Sequence, residues 1–365
     1  MREEKDVPDR DRPSPEVGAA RARLKDVAQR AKTSKPVASR VLNDDPTLSV
    51  GVELRSRIKA AADELGYRPH AAARNLRSSS TGALGMLVPT LLNPVFAMMV
   101  RGAFDRAQQA GYVVLVAEDF DEQRSKDLVE DMFRAGRFDG LIVASARLGS
   151  SLLDVLEQRR IPHVFVNRAI PGSKLNVLID DPAGIRMATE HLLSLGHRDL
   201  GHLAGPADID PSRRRVEAFL AAAASGGATS AIFKHGDFLE EDGAAAAEQL
   251  LRERPTTTGL VVSSPSQGAG ALFAARRLGL SIPDDLSIIS YTDAPIAKVL
   301  DPPLTVVDMP VEELGAAGVA ALLDVLGGRN DGDRLLTTVP HLILRSSTCV
   351  ARTPESYEKE LAAQV

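Results

Sequence analysis

From Ala83 onward one rhythm repeats along the chain: a short apolar run, a segment of helix length, then another run. The runs read ALGMLV, YVVLVA, GLIVAS, HVFVN, NVLID, LGHLAG, GLVVSS, LSIISY, LTVVD and HLILR. Runs this short and this continuously apolar form strands covered on both faces, and a strand that rejoins a parallel neighbour must return through a crossover, usually a helix. The alternation therefore predicts parallel sheets with helices on both sides. Roughly 270 residues exceed what one such sheet holds, so the segment 81–352 divides into two α/β lobes. Ligands of such folds bind at the carboxyl ends of the strands, in the crevice between lobes.

Ahead of Ala83 the period changes. Leu24, Val27, Ala28 and Ala31 fall at helical spacing, Val37, Ala38, Val41 and Leu42 repeat the stripe, and Leu54, Ile58, Ala61, Ala62 and Leu65 form a third that stops at Gly66. Ser34 is a good N-cap for the second stripe, and Pro36 falls in its first turn, where a missing N–H costs nothing. Three short helices with a tight turn after the first describe a helix-turn-helix. Because Val37, Ala38 and Val41 must turn inward, Lys35, Pro36, Ser39 and Arg40 face outward. Charge divides along the same line: residues 21–80 carry 13 Lys or Arg against 6 Asp or Glu, while the whole chain has a net charge of −5. A small basic module on an acidic body meets a polyanion at the module only, and nucleic acid is the expected partner.

The wording is more specific than the pattern. "LKDVAQRA", "TSKPVASRVLN" and "ELGYRPHAAARNLR", followed by "LGHRDLGHLAGP" at 195–206 and "RRLGLSIPDDLSIISY" at 276–291, closely resemble the LacI/GalR family of bacterial transcription regulators. The resemblance implies an all-α helix-turn-helix DNA-binding domain at 22–67 after a disordered lead at 1–21, a hinge helix and linker at 68–80, and a two-lobed periplasmic-binding-protein-like core at 81–352 for effector binding and dimerisation. One lobe takes about 81–180 and 308–329, the other about 181–307 and 330–352, and the tail at 353–365 is too short for a coiled-coil tetramer. Carried residue by residue, Lys35, Pro36 and Arg40 read bases, Ser34, Ser39 and Asn43 touch phosphates, Tyr67 and Ala73 join that interface, and Leu76 of the hinge helix wedges into the minor groove. Lys32 stands where the family most often has Gly, which requires a lysine in the left-handed region.

The function so implied is that of a cytoplasmic, nucleoid-associated repressor, a homodimer on a pseudo-palindromic operator, with a small-molecule effector held by Phe96, Asn167, Arg168, Asp180, Arg215, Phe238, Ser264, Thr292 and Asp293. Sugar-responsive members are expected to carry carboxylates where this chain has Asn167, Ser264 with Pro265, and Thr292. Each lost acceptor removes roughly 1.5–3 kcal/mol of hydrogen bonding to a buried hydroxyl. The expected ligand is therefore less hydroxylated than a neutral monosaccharide, or anionic, with Arg168 and Arg215 supplying charge.

Other chemistry fits less well. GAGALF at 268–273 imitates a dinucleotide-binding turn, but Phe273 stands where a third glycine would allow close packing. No P-loop, G-x-S-x-G or HExxH occurs, so no enzyme and no cofactor is expected. His191, His197 and His202 are spaced as structural histidines rather than metal ligands, and the single Cys349 as a small apolar side chain. No run reaches the roughly 18 apolar residues of a membrane span. The alternative, a solute-binding protein of a transport system, needs an exported chain, and residues 1–21 lack an apolar signal segment.

Overall fold

In a computed structural model the chain forms two compact units that divide at Ser80 and Thr81. The described residues are 22–352 without Asp44, Pro46, 68–79 and Phe120. In the first unit, helices α1 (Leu24–Arg30), α2 (Lys35–Leu42) and α3 (Val52–Glu64) surround a small core of Val27, Ala28, Ala31, Ala38, Val41, Ile58, Ala61 and Ala62. These are the residues of the three apolar stripes, and alanine dominates because helices this short must pack closely to bury anything. Arg30 on α1 pairs with Glu64 on α3 at 2.8 Å, an exposed contact worth little by itself.

The second unit is built on two six-stranded sheets. The first contains β1 (Ala83–Val88), β2 (Val113–Glu118), β3 (Gly140–Val143), β4 (His163–Val166), β5 (Asn176–Leu178) and β11 (Arg334–Leu335), in the order β11-β5-β4-β3-β1-β2, all parallel. The second contains β6 (Asp199–Ala204), β7 (Ser230–His235), β8 (Gly259–Val262), β9 (Ser287–Tyr291), β10 (Thr305–Asp308) and β12 (His341–Ile343), ordered β12-β10-β9-β8-β6-β7, with only β12 antiparallel. Strands β1, β3, β8 and β9 are buried along their whole length, as continuous apolar runs require. Edge strand β2 leaves Val113 and Leu115 exposed.

Helices α4 (Pro94–Gln109), α5 (Glu122–Arg134), α6 (Leu152–Gln158) and α11 (Val311–Leu326) belong to the first lobe, and α7 (Asp181–Ser194), α8 (Asp210–Ser225), α9 (Glu240–Glu253) and α10 (Pro265–Arg277) to the second. The chain crosses between lobes after Leu178, after Asp308 and after Leu335. The last crossing lies later than the expected 330 because β11 pairs with β5 in the first lobe. Asp333 Oδ1 accepts both the backbone and the side-chain N–H of Asn176, at 2.8 and 2.9 Å, and Arg334 pairs with Asp324 of α11. Polar clamps rather than an apolar run hold this two-residue strand, so the sequence pattern carried no trace of it.

Helices α4 and α11 meet backbone to backbone. A Cβ on Gly102 would stand 1.8 Å from the carbonyl oxygen of Glu312, and one on Gly315 would stand 1.9 Å from that of Met99. Neither obstacle is a side chain that can swing away. Gly102→Ala or Gly315→Ala should each cost about 2 kcal/mol net, despite alanine's better helix propensity, because two packed helices must separate. Urea unfolding measures this, and a parental midpoint in both variants would refute the contact.

Candidate functional site: a basic helix and an inter-lobe cleft

The turn between α1 and α2 is closed by the Thr33 amide on the Ala28 carbonyl, 2.9 Å, and by Arg57 Nε of α3 on the Ala31 carbonyl, 2.9 Å. Lys32 takes φ 51°, the left-handed conformation expected of it, with its side chain exposed. Ser34 caps α2, its Oγ accepting the Val37 amide at 3.4 Å. Ala38 and Val41 are buried, and Ser34, Lys35 and Pro36 are exposed at the helix start, where the dipole and the Lys35 ammonium favour an anion.

Ser39 and Arg40 are half-buried, and Arg40 is not free. Its Nε lies 2.7 Å from Asp45 and its Nη2 donates to Thr47 Oγ1 at 2.8 Å. The hydrogen bond from Arg40, then those from Thr47, hold the Asp45 carboxyl well below the usual range. Sequence reading missed this clamp, although Asp45 followed by Thr47, with the Thr47 amide on Asp45 Oδ1, is a recognisable Asx turn. Asn43 ends α2 and donates to the Ser39 carbonyl, and Tyr67 packs half-buried against the three-helix core. Ala73 and Leu76 lie outside the described residues.

In the larger unit the carboxyl ends of β1, β4, β8 and β9 converge on a cavity between the lobes. A narrow inner chamber of about 30 Å³ adjoins a vestibule of about 370 Å³, and Asn93, Phe96, Arg168, Ile209 and Phe238 border both. Of the residues expected here, Phe96, Asn167, Arg168, Arg215, Phe238, Ser264 and Thr292 line the chamber. Asp180 and Asp293 do not. Asp180 caps α7 through the Ala183 amide at 2.9 Å, and Asp293 is held by Arg345 at 2.6 Å and Lys298 at 3.2 Å, so it cannot swing in without breaking two ion pairs. Sequence reading missed Asn93, Met99, Ser263 and Tyr291, of which Asn93 carries a signal as the N-cap before Pro94.

Two wall residues have left-handed backbones, Asn167 at φ 70° and Thr292 at φ 77°, directly after β4 and β9. A β-branched threonine there stores on the order of 1–3 kcal/mol of strain, a cost that tends to fall at functional positions. Thr292 Oγ1 and Ser263 Oγ are buried at the chamber wall without hydrogen-bond partners among the described residues.

The two arginines behave oppositely. Arg215 lies 4.0 Å over the Tyr291 ring, with Nε 2.7 Å from Asp181, and the Tyr291 hydroxyl donates to the same carboxylate at 2.7 Å. Arg214 completes the cluster, 2.8 Å from Asp181 and 2.9 Å from Asp210. Burial, then the Asp181 charge, push the Tyr291 phenol well above its ordinary range. Arg215, expected to lend charge to a ligand, lines the chamber with that charge already paired to Asp181. Arg168, 1% exposed, donates from Nη1 to the Ala146 carbonyl but meets no carboxylate, and burial pulls its guanidinium down to about 10, still cationic at neutral pH. The lobes are joined beside it: Arg147 grips both oxygens of Asp208 at 2.7 Å, the Leu148 amide donates to the Asp208 carbonyl, and the Ala169 amide donates to Asp210. Asp181→Asn should destabilise the fold by about 3–5 kcal/mol, since two guanidiniums would lose a buried counter-charge. Denaturant titration measures it, and a loss near zero would mean that solvent, not Asp181, compensates them.

Among the described residues no helix is long and apolar enough to cross a membrane, and no cluster of His, Cys, Asp and Glu could hold a metal ion. Residues 23–70 match the family model described as bacterial regulatory proteins, lacI family, and residues 189–348 match the periplasmic binding protein-like domain. The HTH-type transcriptional repressor CytR of Escherichia coli K12 is 31% identical over 90% of this chain and 96% of its own length. The HTH-type transcriptional regulator MalR of Streptomyces coelicolor is 32% identical over 90% and 97%. Among solved structures, the lac repressor dimer bound to operator and the anti-inducer ONPF superposes with a TM-score of 0.80 at 26% identity, covering 90% of this chain and 99% of that one. A CelR–cellobiose complex gives 0.68 at 26% identity, with 90% and 100% covered. With its helix-turn-helix, its two-lobed core and these relatives, the chain belongs to the LacI family of DNA-binding transcriptional regulators.

Proposed function

We infer that the protein is a repressor that binds a pseudo-palindromic operator as a homodimer in the cytoplasm, and that a small molecule in the inter-lobe cleft changes its grip on DNA. The observation that carries this reading is the exposed start of α2, with Ser34, Lys35 and Pro36 presented on a rigid three-helix unit of net positive charge. A helix end so exposed suits entry into the major groove. The lac repressor relative was solved as an operator-bound dimer, which supports the same arrangement here. Lobe-to-lobe contacts beside the cleft, Arg147 with Asp208 and Ala169 with Asp210, give a ligand something to bias. Two sites coupled through the relative angle of two lobes are what allostery requires.

On this reading Arg40 exchanges Asp45 for a guanine edge when DNA arrives, whereas Ser34, Ser39 and Asn43 fix register on phosphates. Arg40→Ala should lower operator discrimination by about 1–3 kcal/mol, while Asn43→Ala should weaken operator and random DNA alike. Competition binding decides this, and an unchanged preference for operator in Arg40→Ala would remove α2 from the major groove. In the hinge stretch, Leu76→Ala should reduce operator bending and leave dimerisation intact. Equal bending by variant and parent in a circular-permutation mobility assay would reject the wedge.

A further inference from the structure

The vestibule of the cleft carries an unbalanced set of charges. Asp119, Asp121, Glu122 and Asp237 line it against Arg147 and Arg168. Some of these are already compensated: Arg147 is gripped by Asp208, Glu122 is paired with Lys126 at 2.7 Å, and Asp121 is spent on capping α5. Asp119 and Asp237 have no ion pair among the described residues. Among the described residues the Asp119 carboxylate accepts only Ser125 Oγ, at 2.5 Å, and the Asp237 carboxylate only the Phe238 amide, at 2.9 Å. Their fields reach Arg147 and, with Asp208, raise its pKa, which sets both carboxylates around the mouth of the cavity.

Arg168 is the opposite case. Its Nε is buried with no hydrogen-bond partner among the described residues, and so is Ser145 Oγ on the same wall. A guanidinium out of water and with no carboxylate in contact among the described residues is costly; Arg147 nearby adds repulsion, which the fields of Asp119, Asp210 and Asp208 oppose from a distance. A ligand carbonyl would satisfy the open donor but leave the guanidinium without a carboxylate in contact, whereas a carboxylate supplies both. A purely anionic ligand would then face the surplus of Asp119 and Asp237 at the mouth. An ammonium on the same molecule would meet them favourably.

We propose that the effector is a small zwitterion, its carboxylate on Arg168 and Ser145 and its ammonium toward Asp119 and Asp237. The vestibule of about 370 Å³ has room for a molecule the size of an amino acid or an amino-sugar acid. This assignment rests on the regulator reading, which makes the cleft the effector site, and it narrows the sequence expectation from a less hydroxylated or anionic ligand to a molecule of two charges.

The test uses the full-length protein. Thermal shift is read against neutral sugars and nucleosides, simple carboxylates, simple amines, the standard amino acids and D-glucosaminate. Each hit is then titrated by calorimetry beside analogues lacking the amine or the carboxylate. Hits should be zwitterions, with each singly charged analogue about tenfold or more weaker. Asp237→Asn, an exposed change that leaves folding intact, should erase the advantage given by the amine. Arg168→Met should erase that given by the carboxylate, and Arg168→Lys should restore part of it. A best binder that is neutral or singly charged, or a panel in which no zwitterion binds, overturns the proposal. Operator binding without ligand is measured on the same preparation. Absence of sequence-specific DNA binding overturns the regulator reading, whereas intact DNA binding with the wrong ligand class overturns only this one.

Discussion

Asp181 is the carboxylate on which the larger unit depends. It stands where the chain first leaves one lobe for the other, wholly buried, and three groups converge on it: Arg215 and the Tyr291 hydroxyl as hydrogen-bond donors and Arg214 as an ion-pair partner. Two guanidiniums around one carboxylate would be untenable at this depth, but Asp210 balances Arg214 and the Tyr291 ring takes the face of Arg215. The cluster sets the floor of the cleft through Arg215 and Tyr291. Through Asp210 and the Ala169 amide it also reaches across to the other lobe. A change in lobe angle must therefore either carry this network along or break its outermost hydrogen bond.

Charge is distributed so that each surface invites one kind of partner. The three-helix unit is basic within an acidic chain, which favours polyanion contact there and disfavours it elsewhere. Within that unit Asp45 holds the arginine best suited to reading a base. Such a partner is a competitor that only a well-placed acceptor displaces, and it keeps a flexible cation ordered in the meantime. The cleft works in reverse: Arg215 is paired with Asp181, while Arg168, buried between the lobes, has no carboxylate in contact among the described residues.

The relatives bear on the fold more firmly than on the ligand. Near-complete coverage by CytR and MalR accounts for both units and their order. Ligand recognition in a cleft turns on a few wall residues, and the walls of this one include Asn167, Ser264 and Thr292 on strained or capping backbone. Three such positions can change a pocket's chemistry and leave every strand in place, because strand pairing uses backbone groups and the pocket uses side chains.

What the sequence determined by itself was whatever depends on near neighbours along the chain. The stripes of α1, α2 and α3, the cap at Ser34 and the buried runs of β1, β8 and β9 all follow from spacings of a few residues. Tertiary structure decided the pairings between distant residues. It assigned Arg215 to Asp181, 34 positions away, and it tied Asp293 to Arg345, 52 positions away. It gave β11 to the first sheet through Asp333 and Asn176, 157 positions apart, and left Arg168 with no ion pair among the described residues. The physical reason is that a buried charge is settled by whichever opposite charge the fold brings within about 4 Å, and no local pattern of residue types records that distance.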